Sequence, residues 1–101
     1  KRDPVTAIFA SSDVQAIGAW MAIREEGLSV PEDIALVGYD DIKTSRFIGL
    51  SSVDQNTKGV GQEAAERLMM CVETKRKIDR ISRLIIPELR IRESSSFTRN
   101  A

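Results

Sequence analysis

Histidine is absent from this 101-residue chain. The absence removes Ser–His–Asp and Cys–His nucleophilic machinery, imidazole metal ligands and the usual proton shuttle near neutral pH. Cysteine occurs once, at Cys71, which excludes an intrachain disulfide framework. It stands in the apolar stretch Leu68-Met69-Met70-Cys71-Val72, where a small buried hydrophobe is expected in place of a reactive thiol. A lone thiol also suits a reducing compartment. Neither sign of charge prevails: Lys plus Arg and Asp plus Glu both number 15, so there is no global basic field to hold nucleic acid. No apolar run approaches the roughly 18–20 residues that span a bilayer, so no membrane partner is expected. The first residues, Lys1-Arg2-Asp3-Pro4, are charged and lead directly into a strand, so no signal peptide is expected.

What remains is a composition, 42% hydrophobic with three prolines, that suits one folded globular domain. Its most directive stretch is Val30-Pro31-Glu32-Asp33-Ile34-Ala35-Leu36-Val37-Gly38-Tyr39-Asp40-Asp41. A turn feeds a near-continuous apolar run that ends abruptly in two carboxylates. Such a run reads as a strand buried on both faces, as in a parallel sheet with helices above and below. In open α/β sheets ligands bind outside the carboxyl ends of the strands, where Asp40 and Asp41 fall.

The flanking pattern agrees. Val5 to Ala10 is β-branched and apolar and predicts a first strand, which ends in Ser11-Ser12-Asp13, any of which can cap the next helix. That helix, about 13–26, has a broad apolar face built on Val14, Ile17 and Met21 with Ala16, Trp20 and Ile23. Gly27 at C′, Leu28 after it and Pro31 beyond mark its end as a Schellman motif. Ile42 to Gly49 is mixed, either a short helix or an irregular loop, and Leu50 to Val53 reads as a third strand. Asn56 or Thr57 caps a third helix carrying Val60, Ala64, Leu68 and Val72 at helical spacing. The basic tract Lys75-Arg76-Lys77 reads as its solvated end. Two short strands are expected around Pro87, the second with Leu89 and Ile91 alternating with solvated arginines. Ser94-Ser95-Ser96 and the residues after them read as a fraying tail. The order predicts an α/β fold with mostly parallel pairing. So narrow a sheet has two unprotected edges and little core, which suits a part of a larger protein.

Each candidate group has a plain reading beside a functional one. Asp40 and Asp41 suit general acid–base chemistry, a hard cation, or acceptance of hydrogen bonds from sugar hydroxyls and base N–H groups. No EF-hand loop or third acidic residue stands nearby, and hydrolysis needs a second carboxylate across a cleft. Asp40 is therefore the candidate ligand acceptor, and Asp41 the candidate cap or turn residue. In Ser11-Ser12-Asp13, Asp13 is the candidate cap and Ser12 the hydroxyl aimed at the same crevice. Gly59-Val60-Gly61 lacks the third glycine of a dinucleotide loop. Trp20 and Met21 line a pocket, fill core or meet a partner subunit, on a helix too apolar for one covered face. Phe47 is a lip of the crevice or an interface residue.

Phe9-Ala10-Ser11-Ser12-Asp13, Ile17-Gly18-Ala19, the run from Gly27 to Asp41, Ser52-Val53-Asp54-Gln55, and Ile86-Pro87-Glu88-Leu89-Arg90-Ile91-Arg92-Glu93-Ser94 closely resemble the LacI/GalR family of bacterial transcription regulators. The match runs over about residues 4–95, and Gly27 to Asp41 is its most specific part. The resemblance implies a three-layer α/β/α fold, the C-terminal lobe of a type I periplasmic-binding-protein-like domain. Residues 1–95 would form the C-terminal part of that effector-binding domain and 96–101 a flexible tail. It implies that Asp40 hydrogen-bonds the effector, that Ser12 occupies a position commonly held by Asn, and that Gln55 assists near the hinge. The helix bearing Ile17, Trp20 and Met21, with the segment reaching Phe47, matches the family's dimer surface. Phe47-Ile48-Gly49-Leu50-Ser51-Ser52 is shorter than the usual Tyr-x-x-Pro-Pro-Leu-Thr-Thr pattern and lacks both prolines.

The implied function is that of a cytoplasmic homodimeric regulator that binds a small effector, a sugar being the expected class. Its operator DNA would be met only through an N-terminal helix-turn-helix outside these residues. No cofactor, metal or enzymatic activity is expected. The alternative is a lobe of a secreted sugar-binding protein of a transport system, and a sugar-processing enzyme is disfavoured by the lack of histidine and of a nucleophile motif.

Overall fold

The computed structural model describes residues 4–74 and 84–96. They form β1 (Ala7–Phe9), α1 (Asp13–Glu25), β2 (Ala35–Tyr39), α2 (Lys43–Ile48), β3 (Ser51–Asp54), α3 (Thr57–Thr74), β4 (Glu88–Arg90) and a 3₁₀ turn at Glu93–Ser95. The strands make one sheet in the order β1-β2-β3-β4. β1–β2 and β2–β3 pair parallel and β3–β4 antiparallel, so the mostly parallel α/β expectation holds.

By contacts the chain divides into two compact units, Lys1–Asp54 with Glu88–Ala101, and Gln55–Pro87. The first holds the sheet, α1 and α2. Its core is a cluster of Ala16, Leu36 and Leu50, against which Ile8, Ala10, Ile17, Ala19, Trp20 and Val30 pack. In β2, Leu36 and Gly38 are buried while Ala35, Val37 and Tyr39 are only half-buried. The strand expected to be covered equally on both faces is thus sealed on one, where a Cβ on Gly38 would meet Asp13 and Ala16 of α1.

Both ends of α1 follow from local chemistry. Gly27 has φ +78, its N–H donates to Arg24 O (2.9 Å) and that of Leu28 to Ile23 O (3.1 Å), the expected Schellman motif. Nothing lies within 4 Å of a Cβ built on Gly27, so Gly27→Ala tests backbone conformation alone. It is expected to cost about 1 kcal/mol, a fall in Tm of several degrees by calorimetry; an unchanged Tm would contradict the left-handed C′ residue. The mixed segment resolves as helix α2, ended by Gly49 at φ +78.

Two expectations are corrected. Among the described residues only one strand forms near Pro87, because Pro87 has no N–H for a ladder and pairing begins at Glu88, opposite Asp54. Leu89 on this edge strand and Ile91 just beyond it are both exposed, so their alternation with arginine buries neither. Ser94 does not fray. It is fully buried, its hydroxyl donates to Leu36 O (2.5 Å) and accepts from Ser51 N (2.7 Å), and its N–H donates to Gly49 O (3.0 Å). A serine is small enough to satisfy backbone groups at the amino ends of β2 and β3 that hydrophobic residues would leave unpaired.

In the second unit Asn56 caps α3, its Oδ1 accepting from Gly59 N at 3.3 Å. Val60, Leu68 and Val72 are exposed and no residue of α3 is buried. Cys71, expected to be buried, is half-buried, since α3 has no buried layer against which to pack it. The basic tract Lys75 to Lys77, Arg83 and residues 97–101 of the expected tail lie outside the described residues.

Candidate functional site

Neighbouring parallel strands bring two of the three expected ligand residues to one sheet edge. Ser12 follows β1 and Asp40 follows β2. Ala10 N donates to Val37 O (2.8 Å) and Asp40 N to Val53 O (2.9 Å), which carries the ladder past both strand ends. Gln55, the third, is half-buried and opens the other unit. Asp40 is half-buried with φ +112, and Asp41 follows at φ +55. Consecutive non-glycine residues in this region cost on the order of 1–3 kcal/mol each and persist only where their surroundings hold them.

What holds this turn is Asp13, and here the reading of the helix cap is reversed. Ser12 is the N-cap, its Oγ accepting from Gln15 N at 3.2 Å, and that hydroxyl keeps its hydrogen for donation. Asp13 is the first helical residue and is fully buried. Its Oδ2 accepts from Ile42 N (2.9 Å) and Ser45 Oγ (2.6 Å), and its Oδ1 from Ser52 Oγ (2.6 Å). Ser52 Oγ in turn accepts from Asp41 N at 2.9 Å. Gly38 makes room, since a Cβ there would lie 2.2 Å from Asp13 Oδ1.

Asp41 is structural, as expected, but as a buried ion-pair partner. Arg92 Nη1 stands 2.7 Å from its Oδ1, and the exposed Arg46 3.4 Å from Oδ2. The Arg92 approach is a charge contact without hydrogen-bond alignment at Oδ1, because Nη1 donates to Leu50 O at 2.7 Å. Arg92 is mostly buried and carries most of this pairing, whereas an exposed partner such as Arg46 adds little. At the sheet edge Arg90 bonds Asp54 (3.1 Å), and that bond, then the Glu88 charge, raises its pKa above the ordinary value. Among the described residues no group of three or more His, Cys, Asp or Glu is placed to hold a metal ion.

The four expected interface residues fall on α1 and α2. Ile17, Trp20 and Met21 line an open hollow of about 290 Å³ with Arg24 and Ile48. Ile17 and Trp20 also pack on the core, so Trp20 both fills core and lines a pocket. Phe47 is outside this lining and is 87% exposed. Sequence reasoning missed Ser45, Ser52, Arg92 and the buried role of Asp13; the available signal was polar Ser51-Ser52 inside a strand otherwise suited to burial.

A mostly parallel α/β sheet with polar side chains at adjacent carboxyl ends has the arrangement that open α/β ligand-binding proteins use. The model of the periplasmic binding protein-like domain family matches residues 1–95, and the chain belongs to that family. Within it, the chain is part of a LacI/GalR-type effector-binding domain. It is 42% identical over 93 residues to the HTH-type transcriptional repressor PurR of Haemophilus influenzae, covering 88% of this chain and 28% of that protein. A LacI-family transcriptional regulatory protein from Corynebacterium glutamicum superposes with TM-score 0.78 at 40% identity, over 91% of this chain and 35% of that one. A LacI family regulator from Enterococcus faecium with bound ribose gives TM-score 0.82 at 29% identity, over 90% and 34%. The chain thus spans about 28% of the length of the curated relatives it matches first.

Proposed function

We propose that this chain supplies one wall of the effector site of a LacI/GalR-type transcriptional repressor. The observation that carries the reading is Asp40, held at positive φ at the carboxyl end of β2 beside the end of β1. A carboxylate there accepts hydrogen bonds from ligand hydroxyls, with the Ser12 hydroxyl on the neighbouring strand end assisting. A sugar is the favoured class, supported by the ribose in a similar regulator. Effector bound between two lobes closes them and changes the spacing of DNA-binding heads that lie outside these residues. The protein is a cytoplasmic homodimer joined through Ile17, Trp20, Met21 and Phe47, and performs no chemistry on its effector.

The test uses the full-length protein with ribose first among a panel of monosaccharides, by isothermal titration. Charge-assisted hydrogen bonds contribute about 1.5–3 kcal/mol, so Asp40→Ala is expected to weaken sugar binding roughly 10- to 100-fold. Operator affinity in a mobility-shift assay should stay within about twofold of the parent. Undiminished sugar affinity in Asp40→Ala would overturn the site. An export signal encoded upstream of Lys1 would favour the secreted sugar-binding alternative.

A further inference from the structure

We infer that Ser52 and the buried Asp13 are positioning residues for effector recognition, fixing the turn that aims Asp40. This rests on Asp40 being the effector's acceptor. Three successive N–H groups run through the turn, and each is held from outside it. Asp40 N–H goes to Val53 O of β3, Asp41 N–H to Ser52 Oγ, and Ile42 N–H to Asp13 Oδ2. The last two converge, because Ser52 Oγ donates to the other oxygen of the same carboxylate. A backbone carrying two non-glycine residues at φ +112 and +55 relaxes unless such anchors oppose it.

The anchor also sets a spacing. Asp13 is the peptide neighbour of Ser12, and Ile42 stands two residues from Asp40. The 2.9 Å bond between Asp13 and Ile42 therefore ties the amino end of α1 to the carboxyl end of β2, and with them the two ligand-facing side chains. Geometry errors well under a hydrogen-bond length are enough to weaken a polar contact, so the tie governs how ligand hydroxyls are read.

Ser45 supplies an internal control. Ser45 and Ser52 are both fully buried, and each hydroxyl donates to Asp13 at 2.6 Å. Only the Ser52 hydroxyl accepts a bond from a turn N–H. Replacing either by alanine removes one donor to Asp13, so an effect common to both variants reports that shared loss, and an effect confined to Ser52→Ala reports the bond to Asp41 N–H.

The experiment compares Ser52→Ala, Ser45→Ala and Asp40→Ala in the full-length protein. Its readouts are ribose titration and amide hydrogen exchange over residues 40–42. Ser52→Ala is expected to lose about tenfold in ribose affinity and to lose protection at Asp41 N–H, while Ser45→Ala keeps both. Equal protection at Asp41 in the two serine variants overturns the inference, whether or not ribose binds. Serine variants that separate as expected while Asp40→Ala binds ribose normally would uphold the anchoring of the turn and sink its link to effector. Asp13→Asn adds a rescue: its remaining oxygen can keep the Ile42 bond while Ser52 turns from donor to acceptor. It should retain protection at Ile42 N–H that Asp13→Ala loses, and equal loss in both variants counts against the anchor.

Discussion

Asp13→Ala is expected to lower the stability of the sheet-bearing unit by roughly 3–5 kcal/mol, most of the margin of a small domain. The reason lies in what is left behind. The carboxylate accepts three hydrogen bonds, from Ile42 N, Ser45 Oγ and Ser52 Oγ, at a site with no exposure. Removing a buried charge recovers its desolvation cost, which works in favour of the variant. Against this, the two hydroxyls must find new acceptors by rotation and the Ile42 amide cannot rotate at all. A cavity replaces the carboxylate beneath Gly38, where no Cβ exists to fill it. Calorimetry should show a fall in Tm well above 10 °C for the folded variant. Combining Asp13→Ala with Ser52→Ala should cost less than the sum, since the second change removes a donor that the first has orphaned. A single variant within about 2 °C of the parent would show that the network contributes little.

That network marks the boundary of what the amino-acid sequence makes legible. Local signals were readable: Gly27 and Leu28 at the end of α1, the apolar run of β2, and a carboxylate placed where that run stops. The position of Asp40 at the end of β2 is legible this way, because strand and breaker lie within one short segment. The role of Asp13 is not, since its partners lie 29, 32 and 39 residues away and only the β1-β2-β3 order brings them together. Ser12 takes the cap in place of Asp13 for the same reason: both are good caps, and the choice is made by what surrounds Asp13. Ser94 misled through composition, as a serine run reads as solvated unless the backbone groups above it are known to lack partners. Trp20 shows a third limit. Helical spacing places it on an apolar face of α1 too broad for one covered side, but does not say that Trp20 itself both packs on the core and lines the open hollow.

That open hollow yields the second large effect. Met21→Glu is expected to raise the dissociation constant of the proposed homodimer of the full-length protein roughly 100-fold or more in sedimentation velocity. Met21 is 60% exposed and lines the same hollow as Ile17, Trp20 and Ile48, beside a Phe47 that is almost wholly exposed. Apolar residues left uncovered on two adjoining elements suit burial against a second copy, where a new carboxylate would sit desolvated and unpaired. Arg24 also lines the hollow and would offset part of that cost, so the effect falls short of the full penalty for an isolated buried charge. Trp20→Glu would dissociate the dimer too, but Trp20 packs against the core, and its loss would mix folding with assembly. Met21 separates them, because an exposed side chain contributes little to the monomer. The variant should keep its sugar affinity, as Met21 lies on the outer face of α1 and not at the carboxyl ends of β1 and β2. Its operator affinity should fall steeply, since two half-sites are engaged together only by a dimer. A dimer unaltered by Met21→Glu would remove this face from the interface.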